Sequence, residues 1–167
     1  SSKKQIQAYL YRNQLLSLEQ ITIADLKGMD LMALRPVDLH DILTHHPNLA
    51  RLDFSDKHLT AENILLNPKS WPVYPALTHL DLHNTQLSDE GAKQLAMLLK
   101  VEPCLFPSLS VLDVSHNQIH DQGFKELAIA LLKIKTLTVC ILDKNCLSYT
   151  GFQDFLRIIR DHPRLER

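Results

Sequence analysis

The sequence is poor in the residues from which most dedicated sites are built. Only four of its 167 residues are glycine and three are cysteine. Three of the glycines recur at one position of a repeat set out below, and the single one left over is too few for a phosphate-cradling loop. Cys104, Cys140 and Cys146 make an odd count without CxxC spacing. That argues against a disulfide framework or a zinc cage and for a reducing compartment, so a cytoplasmic location is expected. Charge of one sign is lacking too: 18 Lys and Arg face 19 Asp and Glu, a formal charge of -1. Neither nucleic acid nor an anionic membrane surface is favoured as a partner on electrostatic grounds. No apolar run approaches the roughly 20 residues that span a bilayer, and residues 1–20 lack the apolar centre of a secretory signal. A soluble chain without membrane contact is expected. There is no G-x-S-x-G, Walker loop or HExxH, so no enzyme activity and no cofactor are expected.

What the chain has instead is repetition, and a missed repeat misassigns a whole fold. From Leu77 it reads LTHLDLHNTQLSDEGAKQLAMLL, from Leu109 LSVLDVSHNQIHDQGFKELAIALL, and from Leu137 LTVCILDKNCLSYTGFQDFLRII. Gly91, Gly123 and Gly151 share position 15 of the unit. Weaker copies start at Ile21 and Leu49, so the starts at 21, 49, 77, 109 and 137 are separated by 28, 28, 32 and 28 residues, and Leu165 opens a sixth copy 28 residues later.

Within each unit the hydrophobic period changes. Leu80/Leu82, Leu112/Val114 and Cys140/Leu142 alternate with period two, which predicts a short strand. Ala92/Leu95/Ala96/Leu99, Phe124/Leu127/Ala128/Leu131 and Phe152/Phe155/Leu156/Ile159 recur at i, i+3, i+4 and i+7, which predicts a helix with one apolar stripe. Ser88, His120 and Ser148 stand where each helix should start, and Asp89, Glu90 and Asp121 suit its positive end. Pro47, Pro75, Pro107 and Pro163 lie two residues ahead of each following unit, where a fixed φ stops a helix.

These residues carry a family resemblance. The pattern LxxLxLxxNxL, with Asn117 and Asn145 in the asparagine place and a capped helix after it, resembles the ribonuclease-inhibitor-like class of leucine-rich repeats. The resemblance covers Ile21 to Leu165. It implies an α/β fold: a right-handed β-α superhelix, or horseshoe solenoid, with a parallel concave sheet and convex helices. The early units depart from the pattern. Thr85, Lys57 and Met29 replace the asparagine, and Pro68, Pro72 and Pro75 break the helix expected after Leu59. The expected organisation is an N-terminal helical cap over 1–20 and a repeat domain over 21–167. Because the chain stops as another strand would begin and lacks an initiator Met, a monomer or a fragment of a longer protein is expected, with an exposed edge near Cys140.

The resemblance implies a module that binds a protein partner on the concave face. Positions 3, 5 and 7 face outward there. They hold Arg51, Asp53, His79, Asp81, His83, Val111, Asp113, Val139 and Ile141, with His116 beside them. Asp25, Asp53, Asp81 and Asp113 should form a ladder about 4.8 Å apart per step, and Val111, Val139 and Ile141 an apolar patch. Aspartate at this position is also common to such repeats as ordinary solvated surface. The Gln-, Asn-, Lys- and His-rich idiom is similar to that of effectors which Legionella injects into host cells, where the location would be the host cytoplasm. A GTPase-activating role is the alternative from another class, with Asn84 and Asn117 as candidate polar residues. A third is metal binding. His79, Asp81 and His83 share a strand face but stand roughly 7 Å apart in turn, too far to reach one ion bonded at about 2 Å. His83 with His116 across strands is the better pair. Ser115 and His116 lie beside Asp113, yet strand neighbours point to opposite faces, so a catalytic triad there needs an unusual turn. Cys140 is expected in the core. Trp71 is a plug over the broken helix or an exposed anchor, and Leu105 and Phe106, in the insertion Val101 to Phe106, fold back or face a partner.

Overall fold

A computed structural model provides the fold, and its described residues are 23–25, 36–56, 58 and 66–166. The expected helical cap over 1–20 lies outside them, as do the side chains of Lys57 and Met29. Five three-residue strands, β1 (Ile23–Asp25), β2 (Arg51–Asp53), β3 (His79–Asp81), β4 (Val111–Asp113) and β5 (Val139–Ile141), form one parallel sheet in chain order. Four helices are described: α1 (Pro36–His45), α2 (Asp89–Leu99), α3 (Asp121–Leu131) and α4 (Tyr149–Ile159).

The register is that of the repeat. Ile23, Arg51, His79, Val111 and Val139 pair across the sheet, and so do Asp25, Asp53, Asp81, Asp113 and Ile141. Residues 28 or 32 apart in the chain are therefore neighbours. Between these rows Leu52, Leu80 and Leu112 turn inward and are buried, with Leu82 and Val114 just past the strand ends. The helical stripes of α2 and α3 are buried against them. In α4 only Phe155 of the predicted four is fully covered, while Phe152 and Leu156 are exposed. The sixth copy does begin where the period places it. Glu166 N–H donates to Thr138 O at 2.9 Å, as Thr138 N–H donates to Ser110 O, and Leu165 packs against the core. The expected edge at β5 is thus covered at its start, and Ile141 is exposed.

Two devices lock neighbouring units. Asn117 is buried; its Oδ1 accepts from the backbone N–H of Thr85 (3.0 Å) and Leu87 (2.9 Å), and its Nδ2 donates to Leu82 O (3.0 Å), Val114 O (2.9 Å) and Ser115 O (3.1 Å). The second device crosses between helices. Ser88 and Ser148 cap their own helices as expected, but His120 makes no side-chain cap. Asp89, from the preceding helix, accepts from the N–H groups of His120 and Gly123 instead. A Cβ on Gly123 would lie 2.6 Å from that Asp89 oxygen, so the recurring glycine admits the neighbour's carboxylate. Asp121 repeats the arrangement on Ser148, whose bonds hold its carboxyl below the usual range.

Position 8 has a conformation of its own. Asp56 (φ 61°), Asn84 (51°), His116 (53°) and Lys144 (57°) are all left-handed, a region that costs residues with a Cβ about 1–2 kcal/mol. In each of the first three the N–H still donates to the next unit's position-7 carbonyl, so the turn is fixed by the ladder. Lys144 is exposed, and Lys144→Gly is expected to raise unfolding stability by about 0.5–1 kcal/mol, strain relief partly offset by glycine's larger entropy loss. Urea denaturation with an unchanged m-value checks this; a destabilised variant contradicts it.

Candidate functional site: the concave sheet face

The ten residues expected on the concave face divide into four groups. Asp53, Asp81 and Asp113 stand in line and half-buried, but each already has a structural task. Their Oδ1 atoms accept from the N–H two residues on, in Ser55 (2.9 Å), His83 (2.8 Å) and Ser115 (2.9 Å). The hydroxyls of Ser55 (2.5 Å) and Ser115 (2.6 Å) donate to the same oxygens. The aspartates thus close the turn that ends each strand. Asp81 sits between its two neighbours. Burial, and then the charges of Asp53 and Asp113, raise its carboxyl above the ordinary value against the lowering effect of the His83 N–H.

Arg51 and His79 flank this row in register. Burial first, and Arg51 second, push the His79 imidazole below its ordinary value. Thr78 Oγ1 lies 2.8 Å from His79 Nδ1 and 3.0 Å from Ala50 O. A hydroxyl has one proton, which the carbonyl takes, so Nδ1 of His79 is the donor in the neutral ring. Val111, Val139 and Ile141 form the third group. Val111 pairs with Val139 and Asp113 with Ile141, and Ile141 is 37% exposed, so the wall turns from acidic to apolar within one strand.

His83 and His116 come together as a pair. Strand alternation places residues 115 and 116 on opposite faces, but the left-handed turn at His116 brings its ring to the His83 ring, with centroids 4.5 Å apart and planes tilted by 59°. The unusual turn that a triad would need is therefore present. The order of proton donors is nonetheless wrong for a nucleophile. Ser115 is buried and its hydroxyl donates to Asp113, so no base is placed to take that proton toward a substrate.

Several expectations resolve as structural. Asn117, a candidate for a GTPase-activating role, is buried and committed to the inter-unit bonds above, so it touches no partner; Asn84 is exposed and donates to Asp56 at 2.9 Å. Cys140 packs against the core, and burial, with Asp113 second, pushes its thiol up to about 12, which leaves no thiolate near neutral pH. Trp71 is the plug rather than the anchor: it is buried, edge-on to Phe54 and Phe106. Leu105 and Phe106 fold back into the core. His162 has a structural role that no sequence motif marks. It is buried where Ile134 sits one unit earlier, donates from Nε2 to Ile134 O (2.8 Å) and accepts at Nδ1 from the N–H of Arg164 and Leu165. Its place in the 28-residue register was the available signal.

Comparison with known proteins agrees with this geometry. Residues 75–96 and 107–128 match the model of the Leucine Rich repeat family, two stretches that each begin at the proline ahead of a unit. No curated protein sequence matches the chain. Among solved structures it is similar to leiomodin-1 actin-binding site 2, with 19% identity and a TM-score of 0.65 over 80% of this chain and 78% of that one. It is also similar to the C-terminal domain of tropomodulin from Caenorhabditis elegans, with 16% identity and a TM-score of 0.49 over 87% and 70% of the two chains. The repeat match, the strand register and the likeness to leiomodin-1 converge on one architecture, and the chain folds as a leucine-rich-repeat solenoid.

Proposed function

We propose that the chain is a non-enzymatic recognition module that binds a protein partner along its concave sheet. The observation that carries this reading is the strand register, which gathers Arg51, Asp53, His79, Asp81, Val111, Asp113, Val139 and Ile141 from four strands onto one wall. The partner surface that fits is mixed: basic opposite the aspartate row, apolar opposite Val111, Val139 and Ile141. Burial of that apolar end contributes at about 25 cal/mol per Å2 removed from water. Actin is the first partner to test, because a solved structure of the same fold is an actin-binding site of leiomodin-1. The finer subtype, ribonuclease-inhibitor-like, is supported by the 28-residue period and by three helices of 11 residues each. An effector acting on host proteins in the host cytoplasm is compatible with the same wall and rests on the sequence idiom alone.

The test is a double substitution, Val139→Glu with Ile141→Glu. Both side chains are at the accessible edge of the sheet, so the circular-dichroism spectrum and melting transition should stay close to those of the parent chain. Binding to immobilised actin, or to whichever cytosolic protein the parent chain retains, should fall at least tenfold. Unchanged binding by a folded variant moves the interface off the concave face.

A further inference from the structure

We propose that His83 and His116 form a two-imidazole binding site for a divalent late-transition ion, of the zinc, nickel or copper class, with Ser115 and Asp113 as its supporting layer. The first ground is geometric. Two imidazoles bonded cis at about 2.0–2.1 Å to one ion place their ring centroids roughly 4.5–5 Å apart, and these two rings are 4.5 Å apart. Backbone conformation produces that closeness: His116 is the position-8 residue of its unit, and its left-handed φ of 53° is what turns the ring toward the neighbouring strand.

The second ground is the proton inventory. His83 Nδ1 lies 3.0 Å from Ser115 Oγ, and that hydroxyl gives its one proton to Asp113 Oδ1 at 2.6 Å. Nδ1 of a neutral His83 must then be the donor, which leaves the lone pair on Nε2. A ring N–H anchored through a hydroxyl to a carboxylate is the kind of support that orients metal-ligating histidines and raises their basicity. Ser115 and Asp113 are held in turn by the strand-end turn, through the Ser115 N–H at 2.9 Å. The ligand atom is therefore preoriented from beneath, while exposed His116 supplies the adjustable second ligand.

Two imidazoles select ions that accept nitrogen ligands over Mg2+ or Ca2+. Among the described residues no group of three or more His, Cys, Asp or Glu side chains converges on one point. The remaining coordination positions accordingly go to water, or to a donor brought by a bound protein. The site does not rest on the protein-binding reading, because it is assayed on the chain alone.

The 167-residue chain carrying Cys146→Ser, which removes the exposed thiol as a rival ligand, is titrated with ZnCl2 by calorimetry. Nickel-induced broadening of amide resonances localises the ion. One ion per chain is expected, with broadening centred on His83 and His116. His83→Gln and His116→Asn should each weaken binding at least tenfold; asparagine suits the left-handed turn, as Asn84 does in the preceding unit. Ser115→Ala should weaken it about tenfold. Imidazole 15N shifts should show His83 protonated at Nδ1 in the metal-free chain and Zn2+ bound at Nε2, a signature that a purely structural serine would not produce. Affinity unchanged from the parent chain in either histidine variant, broadening centred on His45 and His46, or a metal-free His83 protonated at Nε2 would each overturn the assignment.

Discussion

Asn117→Ala is expected to destabilise the chain by about 4 kcal/mol, enough to bring a domain of ordinary stability close to unfolding at 37 °C. The side chain itself is not the main loss. Its removal strands the N–H groups of Thr85 and Leu87 inside a buried seam between two units, and takes one donor each from the carbonyls of Leu82 and Val114, which keep Thr85 Oγ1 and Asn145 Nδ2. Each buried backbone group left without a partner costs about 1–3 kcal/mol, and partial rescue by water or by Thr85, whose hydroxyl already reaches Leu82 O, keeps the sum below the simple total. For a chain of this size the melting temperature should fall by roughly 8–16 °C. Asn145 is the internal control. It repeats the pattern one unit on, accepting from Ile119 N–H at 3.1 Å and donating to Val114 O and Leu142 O at 2.9 Å, but it is only half-buried and lacks a second backbone N–H donor. Asn145→Ala should cost about half as much, since solvent can reach the groups it leaves. Calorimetric melts of the two variants decide the matter: equal losses would mean that burial does not set the value of this ladder.

The same asparagines show what a reader of the sequence can and cannot see. The 28-residue period, the change from alternate to helical spacing and the asparagine place are all legible, because each is a pattern of residue type at fixed separation. They suffice for the strand register and for the line of aspartates. The task of those aspartates is not legible. Alternation puts Asp53, Asp81 and Asp113 on the solvent face, where they look like contacts in waiting, and only coordinates show each one bonded to the N–H two residues ahead. His116 illustrates the converse. The alternation rule separates it from the concave wall, and the left-handed φ that returns it shows in the sequence only as a weak preference, shared by His116 with Asp56 and Asn84 at the same position. Helix-dipole reasoning is local and places Asp89 and Asp121 on their own helices; their partners lie 27 to 34 residues on, in the next unit. Side-chain roles that cross from unit to unit depend on how closely the units approach, which composition does not encode.

Trp71→Ala should be comparably damaging, and its effect should be uneven along the chain. Among the described residues, those around Pro68, Pro72 and Pro75 form no α-helix, and the backbone makes a short 3-10 turn, Pro68–Ser70, capped by Asn67. Trp71 fills the space. It is 3% exposed and meets Phe106 at 5.0 Å and Phe54 at 6.5 Å between ring centroids, both near 90°, the edge-to-face arrangement that aromatic rings favour. Phe106 belongs to the insertion that folds back from the next unit, and Leu105 O accepts from Tyr74 N–H at 2.7 Å. The indole therefore joins three segments that no helix holds together, and its truncation is expected to cost about 3–5 kcal/mol. In a stacked-repeat protein each unit contacts its neighbours alone, so a lesion at one junction can uncouple the two sides. Hydrogen exchange should show amides of Arg51–Asp53 losing protection by a factor of ten or more while those of Val111–Asp113 and of α3 keep most of theirs. Trp71→Phe should recover over half of the lost stability, since a ring still meets Phe106. A uniform loss of protection from β2 to β5 would instead mean that the solenoid unfolds as one cooperative body, and that the aromatic plug stabilises the whole stack and not a single junction.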